Sequence, residues 1–182
     1  MNARRTILWA TAGAAVLIAA PALFAWPPRL IWNASASAPV GLYAMHAARR
    51  LEVGDLVAVR PPDALAAFLA GRGYLPLDVP LIKRVLALAG TQVCRKGATI
   101  IAYDHVYGEA LDRDRLGRAL PRWQGCRVLA EGEVFLMNWD AADSLDGRYF
   151  GPLPVTAITA KLSPLWTDED GDGRFEWRAG AR

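Results

Sequence analysis

Apolar residues follow two different patterns along this chain. Residues 6–26 form one uninterrupted run of 21 positions without a charge, whereas beyond Asn33 the apolar residues come in short stretches broken by Gly, Pro and Asp. As a helix rising about 1.5 Å per residue, the first run spans the roughly 30 Å hydrocarbon core of a bilayer. Arg4 and Arg5 precede it and Arg29 follows it, so the positive-inside bias sets the N-terminus in the cytoplasm and the rest of the chain outside. Trp26 and Trp32 with Pro27 and Pro28 suit an interfacial exit, because indole rings prefer the headgroup layer and proline stops a helix. A cleaved signal peptide would have a shorter apolar core, and Leu23-Phe24-Ala25 is a poor small-x-small site; an uncleaved anchor is the better reading.

The short stretches predict strands at 41–46, 55–60, 80–89, 92–95, 98–103, 133–138 and 155–162, each rich in apolar or β-branched residues and bounded by turn formers. One helix is expected over 64–70, opened by Pro62-Asp63 and ended at Gly71. Residues 95–98 predict a hairpin turn, and the charge-rich, proline-containing segment 112–123 an exposed loop. With no repeat or low-complexity tract, the organisation reads as a cytoplasmic N-terminus and anchor (1–26) followed by one periplasmic domain (27–182) with a small insertion at about 92–132.

A composition of 53% hydrophobic and 21% charged residues, with 7 Trp and 12 Pro, excludes wholesale disorder and coiled coil. The net charge of +3 comes from scattered arginines, so no nucleic-acid partner is expected. Cys94 and Cys126, in an exported domain, are candidates for one disulfide, with two buried thiols as the alternative. His46 and His105 do not stand at metal-ligand spacing, and neither a metal nor a cofactor is expected. The segment Asp168-Glu169-Asp170-Gly171-Asp172-Gly173 opens like a calcium loop, but its twelfth position is Ala179. A solvated acidic turn is the better reading, and Asp168, Asp170 and Asp172 stand as the calcium candidates.

Serine and lysine are scarce: four serines (Ser35, Ser37, Ser144, Ser163) and three lysines (Lys83, Lys96, Lys161). Ser35 and Ser37 lie in a small, polar segment just beyond the anchor. A serine hydroxyl is a weak nucleophile and needs a base, and lysine serves only when desolvation strips its charge. On a strand Lys83 shares its face with Leu81, Val85 and Ala87, whereas Lys96 falls at a turn and Lys161 on an alternating strand. From the residues alone, Lys83 is either a neutral base or a snorkelling surface lysine. Ser35 and Ser37 are equally readable as a polar turn, and Asn33-Ala34-Ser35 as a glycosylation sequon.

Three motifs in order narrow the choice: Ser35-x-Ser37-x-Pro39-x-Gly41-x-Tyr43, then Ile82-Lys83-Arg84-Val85, then Asp143-Ser144-Leu145-Asp146-Gly147-Arg148-Tyr149-Phe150-Gly151-Pro152. Together they resemble the boxes of type I signal peptidases, most closely the TraF-like branch of conjugative transfer, over residues 33 to about 165. The resemblance implies a mainly β, signal-peptidase-like (LexA-like β-ribbon) catalytic domain behind one N-terminal transmembrane helix. It implies Ser37 as nucleophile, Lys83 as general base, and the Ser35 hydroxyl joining the Ser37 N–H in an oxyanion hole. Ser144 would orient the lysine amine, and Asp146 and Arg148 would form a supporting ion pair. Pro39 follows Ser37 after one residue where the bacterial leader peptidases have two. Thr91 replaces their Asp, and Met137-Asn138-Trp139-Asp140 stands in place of Gly-Asp-Asn-Arg; these departures fit the TraF-like branch.

The function so implied is a cofactor-free, membrane-anchored serine endopeptidase that cleaves exported precursors, a pilin or another component of a conjugative apparatus. It would sit in the bacterial inner membrane, in contact with lipid, with its catalytic domain periplasmic. Two alternatives are a non-catalytic anchored scaffold of the secretion machine and a LexA-type Ser-Lys self-cleaving protein. The apolar run argues against the second.

Overall fold

The computed structural model describes residues 3–23 and 29–179. Helix α1 (Ala3–Leu23) is apolar and nearly all its described side chains are exposed, so it is long and apolar enough to cross a membrane and has no protein surface to bury against. Trp26, Pro27 and Pro28, the expected interfacial exit, lie outside the described residues.

Beyond the anchor the chain is mainly β. The strands are β1 (Leu30–Asn33), β2 (Val40–His46), β3 (Leu56–Val59), β4 (Leu81–Leu88), β5 (Gln92–Lys96), β6 (Thr99–Ala102), β7 (His105–Glu109), β8 (Gly125–Val128), β9 (Glu133–Leu136), β10 (Leu153–Pro154), β11 (Ile158–Asp168) and β12 (Glu176–Trp177). Two further helices intervene, α2 (Asp63–Gly71) and the single turn α3 (Gly147–Phe150). The larger sheet runs β1-β2-β11-β3-β4-β9-β10, with β12 added to β11, and a smaller one runs β7-β6-β5-β8.

Strand β4 is the keel of the molecule. Its residues are buried on both faces, as a near-continuous apolar run requires. Val85 packs with Val57, Val59, Val134 and Leu136, Leu86 and Ala87 with Val93, Ile100, Phe135 and Met137 beneath the smaller sheet, and Ile82 with Tyr43, Ala58 and Leu162. The smaller sheet is pinned by the disulfide between Cys94 and Cys126, which face each other across β5 and β8. Next to it Arg95, 1% exposed, donates from Nη1 to the Arg148 carbonyl at 2.5 Å.

The expected strands and helix are present with shifted ends. Residues 155–157 form a 3₁₀ turn, and β11 runs on to Asp168 because a register shift between Pro164 and Trp166 lets a residue without an N–H sit in the sheet. Strands β1, β7, β8, β10 and β12 were not expected. All four residues of β8 are exposed, which leaves no alternation to read.

Gly41 explains one letter of the serine motif. It has φ +149°, and a Cβ there would lie 2.2 Å from the Trp166 carbonyl oxygen and 2.7 Å from Thr167 Cα. β2 and β11 therefore approach at this rung only because the residue is glycine. Gly41→Ala is expected to lower unfolding stability by about 1–3 kcal/mol, read as a reduced urea midpoint at unchanged m-value.

Candidate active site

Asn33 pairs with Gly41 at the end of the β1–β2 ladder, so the segment between them is a closed loop whose backbone groups need partners. Buried Asn33 supplies most of them. Its Nδ2 donates to the carbonyls of Ser35 (2.9 Å), Ala38 (3.0 Å) and Pro39 (3.0 Å), and its Oδ1 accepts from the Ser35 N–H and hydroxyl, both at 3.0 Å. The Tyr43 hydroxyl donates to the Pro39 carbonyl at 2.6 Å, and burial pushes its pKa up, which keeps it a donor. On this turn Ser35 is exposed and Ser37 half-buried, and their Oγ atoms are 3.3 Å apart. Because the Ser35 hydroxyl donates to Asn33, the Ser37 hydroxyl is the donor between the two.

Lys83 lies on β4, 4% exposed, and its Nζ donates to Ser144 Oγ at 2.7 Å. Burial pushes its pKa down from 10.5 to about 8; the charge of Asp146 opposes this, Arg148 adds to it, and Asp143 opposes it. The other lysines differ: Lys161 pairs with Asp55 at 2.7 Å, and Lys96 is exposed at the β5–β6 hairpin.

Ser144 is held by the loop between β9 and α3. Asp146 caps α3, accepting the Arg148 N–H at 3.1 Å, and its two oxygens take Arg148 Nε and Nη2, each at 2.9 Å. Both side chains are essentially inaccessible. Arg148 also donates to the carbonyls of Asn138, Ala141 and Ala142, so this pair organises the loop that carries Ser144. Gly147 is needed here, since a Cβ would meet the Leu136 carbonyl at 2.7 Å and the Phe135 ring at 2.8 Å.

Asn138, absent from the expected site, joins these parts. Its Nδ2 donates to the carbonyls of Ser37 (2.6 Å) and Ile82 (3.1 Å), its Oδ1 accepts the Arg84 N–H (2.9 Å), and its own N–H donates to Asp146 (3.1 Å). One amide thus spans the serine turn and the lysine strand. A cleft of about 590 Å³ opens beside Ser37, lined also by Arg84, Asn138, Trp139 and Glu169. No hydrogen bond joins Ser37 to Lys83 among the described residues.

The structure brings Ser35 and Ser37 together on one turn and Lys83, Ser144, Asp146 and Arg148 together beneath it. The calcium candidates do not converge: among the described residues no group of three or more His, Cys, Asp or Glu is placed to hold a metal ion. Asp168 instead accepts the N–H groups of Asp172 and Gly173 at 3.1 and 3.0 Å. His46 and His105 are exposed on β2 and β7.

Through Asn138 the turn that carries the two hydroxyls is thus clipped to the strand of the buried amine. The model of the signal peptidase family, peptidase S26, matches residues 4–166, and the chain belongs to that family. The plasmid transfer protein TraF of Escherichia coli is 34% identical over 165 residues, 85% of this chain and 91% of its own. The conjugal transfer protein TraF of Agrobacterium fabrum is 35% identical over 144 residues, 74% of this chain and 81% of its own. Among solved structures, a signal peptidase I from Enterococcus faecalis matches 63% of this chain and 98% of its own, at 16% identity and a TM-score of 0.37.

Removing one partner of a buried ion pair strands the other charge out of water. Arg148→Ala is therefore expected to cost about 3–5 kcal/mol of unfolding free energy, measured by urea denaturation followed by tryptophan fluorescence.

Proposed function

We propose that the protein is a membrane-anchored serine endopeptidase in which Ser37 is the nucleophile and Lys83 the general base. The observation that carries this reading is the state of Lys83: buried on β4, bonded to Ser144 at 2.7 Å, its pKa held near 8 by burial. An amine so placed is neutral in a useful fraction of molecules near neutral pH, as a base that must accept a proton requires. In the free site the Ser37 hydroxyl points to Ser35. A change of its side-chain rotamer aims the proton at Lys83, a step that substrate closure commonly completes in unliganded sites.

The proposed substrate is an extended peptide. The Leu81–Lys83 stretch of β4 pairs with β3 on one side, while on the other β9 begins its ladder only at Val85 and Asn138 reaches back no further than the Ile82 carbonyl, so a peptide can add as a strand along the edge before that rung. It would enter from a cleft of about 1070 Å³ at the Pro80 end, lined by His46, Leu69, Leu77 and Val79, and reach Ser37 where Asn138 closes the edge. Ser37 Oγ then attacks the scissile carbonyl carbon as Lys83 takes its proton. The oxyanion is received by the Ser37 N–H and by the Ser35 hydroxyl, whose one proton turns from Asn33 Oδ1 to the oxyanion. The Lys83 ammonium returns the proton to the leaving amine as the C–N bond breaks, and a water deprotonated by Lys83 hydrolyses the ester.

The TraF relatives support a conjugative setting and the signal peptidase family an exported precursor as substrate; the precursor proposed is a pilin or another component of the conjugative apparatus. Arg4 and Arg5 ahead of α1 support a periplasmic catalytic domain at the inner membrane. Loss of Ser37 or Lys83 would have marked the scaffold alternative, and the chain carries both residues.

Ser37→Ala and Lys83→Ala are each expected to abolish precursor cleavage in detergent-solubilised protein while leaving the fold intact; wild-type turnover by Lys83→Ala would remove the lysine from the mechanism. Only the neutral amine is active, so kcat/KM is expected to rise with pH through about 8. Asp146→Asn deletes a charge that raises the Lys83 pKa and unbalances Arg148, which lowers it; both effects move the profile to lower pH. A profile governed by a group near pH 6.5 and lost on changing His46 or His105 would show a histidine base instead.

A further inference from the structure

We infer that Asn138 is a positioning residue that sets the distance between the Ser37 hydroxyl and the Lys83 amine, an inference that rests on the Ser37–Lys83 reading above. Strand β9 ends at Leu136, and the last backbone rung to β4 is the Met137 N–H donating to the Arg84 carbonyl at 2.9 Å. The next rung is made by a side chain. Asn138 Oδ1 accepts the Arg84 N–H at 2.9 Å and Nδ2 donates to the Ile82 carbonyl at 3.1 Å, so the amide imitates one more peptide unit on the edge of β4. These two bonds straddle Lys83. The second Nδ2 hydrogen reaches the Ser37 carbonyl at 2.6 Å, 101 residues away in sequence, and carries the serine turn to that same rung.

The polarity of the partners fixes the orientation. Two carbonyls face Nδ2 and one N–H faces Oδ1, so a flipped amide would set oxygen against oxygen. The main chain of Asn138 is equally constrained, its N–H donating to Asp146 Oδ2 and its carbonyl accepting Arg148 Nη2, both at 3.1 Å. At 4% exposure it has no loose bond through which the spacing could drift. Asn33 fixes the turn upon itself; Asn138 fixes the turn relative to the base. Because all three side-chain bonds end on backbone groups of this chain, the residue acts on the rate of the chemical step and leaves peptide binding to other groups.

The test is steady-state cleavage of a precursor peptide by the full-length protein in detergent, for wild type, Asn138→Ala, Asn138→Asp and Ser37→Ala. Asn138→Ala is expected to lower kcat about 100-fold, the order of loss that a misplacement near 1 Å produces, with KM unchanged within about twofold. The pH midpoint of kcat/KM should stay at the wild-type value, because burial and the charges facing Lys83 (Asp143, Asp146, Arg148) are untouched. A kcat equal to wild type overturns the inference, as does a rise in KM at constant kcat, which would make Asn138 a substrate contact. A midpoint displaced towards the ordinary lysine value, with the rate restored at high pH, also overturns it, since that is the mark of a site merely opened to water.

Should Asn138→Ala fail to fold, Asn138→Asp carries the same test. It keeps the volume and the Arg84 bond but has no hydrogen for Ser37 or Ile82, and its kcat is compared at the alkaline plateau. Ser37→Ala separates the two levels: if it still cleaves, the nucleophile is wrong, whereas if it is inert and the Asn138 variants are normal, only the positioning role is wrong.

Discussion

A lysine that is to work without its charge must be kept out of water, and the arrangement around β4 follows from that single requirement. Exposed, the Lys83 amine would keep its ordinary affinity for protons; on a strand packed on both faces it does not. Burial of that kind is tolerable only if the amine still finds a hydrogen-bond partner, and Ser144 provides one that brings no charge. A carboxylate in its place would have fixed the ammonium. Asp146, close enough to have that influence, is held by Nε and Nη2 of Arg148, whose charge acts on the amine in the opposite sense.

The same economy shapes the polar groups around the site. Two asparagines, Asn33 and Asn138, supply the donors that the serine turn cannot find in a strand ladder, and the guanidinium of Arg148 does so for the loop that bears Ser144. Arg95 then ties that loop to the smaller sheet through the Arg148 carbonyl, beside a disulfide that holds β5 against β8. Nothing in this network hangs from one element alone. Glycines stand where carbonyls and rings must pass within a Cβ's reach, at Gly41 and Gly147, which is why both belong to the motifs that also carry the reactive side chains.

How much of this could be read from the sequence depended on the range of the interactions. Strands with a buried run, such as β4 and β3, announced themselves through local pattern, and so did α2. The two-residue strands β10 and β12 and the wholly exposed β8 exist through partners distant in sequence, and no local rule marks them. Among the residues that the structure gathers around β4 and the serine turn, Ser35, Ser37, Lys83, Ser144, Asp146 and Arg148 stand out in the sequence because they lie in ordered motifs. Asn33 was legible only as a sequon, although its amide is wholly engaged by the serine turn. Asn138 gave one signal, an asparagine closing an apolar strand in a segment that departs from the leader-peptidase pattern, and that signal has no meaning until Ile82 and Ser37 are seen beside it.

The span of chain between anchor and sheet has a consequence of a different kind. Leu23 ends α1 and Leu30 begins β1, and the seven Cα-to-Cα steps between them reach at most about 25 Å even when fully extended. On the proposed reading of α1 as a membrane anchor, the start of β1, and with it the serine turn that follows, stays within that distance of the bilayer. Under that reading a precursor held in the same membrane would meet the cleft by lateral diffusion, at an effective concentration set by the depth of the layer within that reach and not by the volume of the compartment. Soluble peptides sample the whole volume, so under the same reading a modest intrinsic affinity for the cleaved segment would be sufficient, and selection among exported proteins would fall first to whatever is lodged in the lipid alongside.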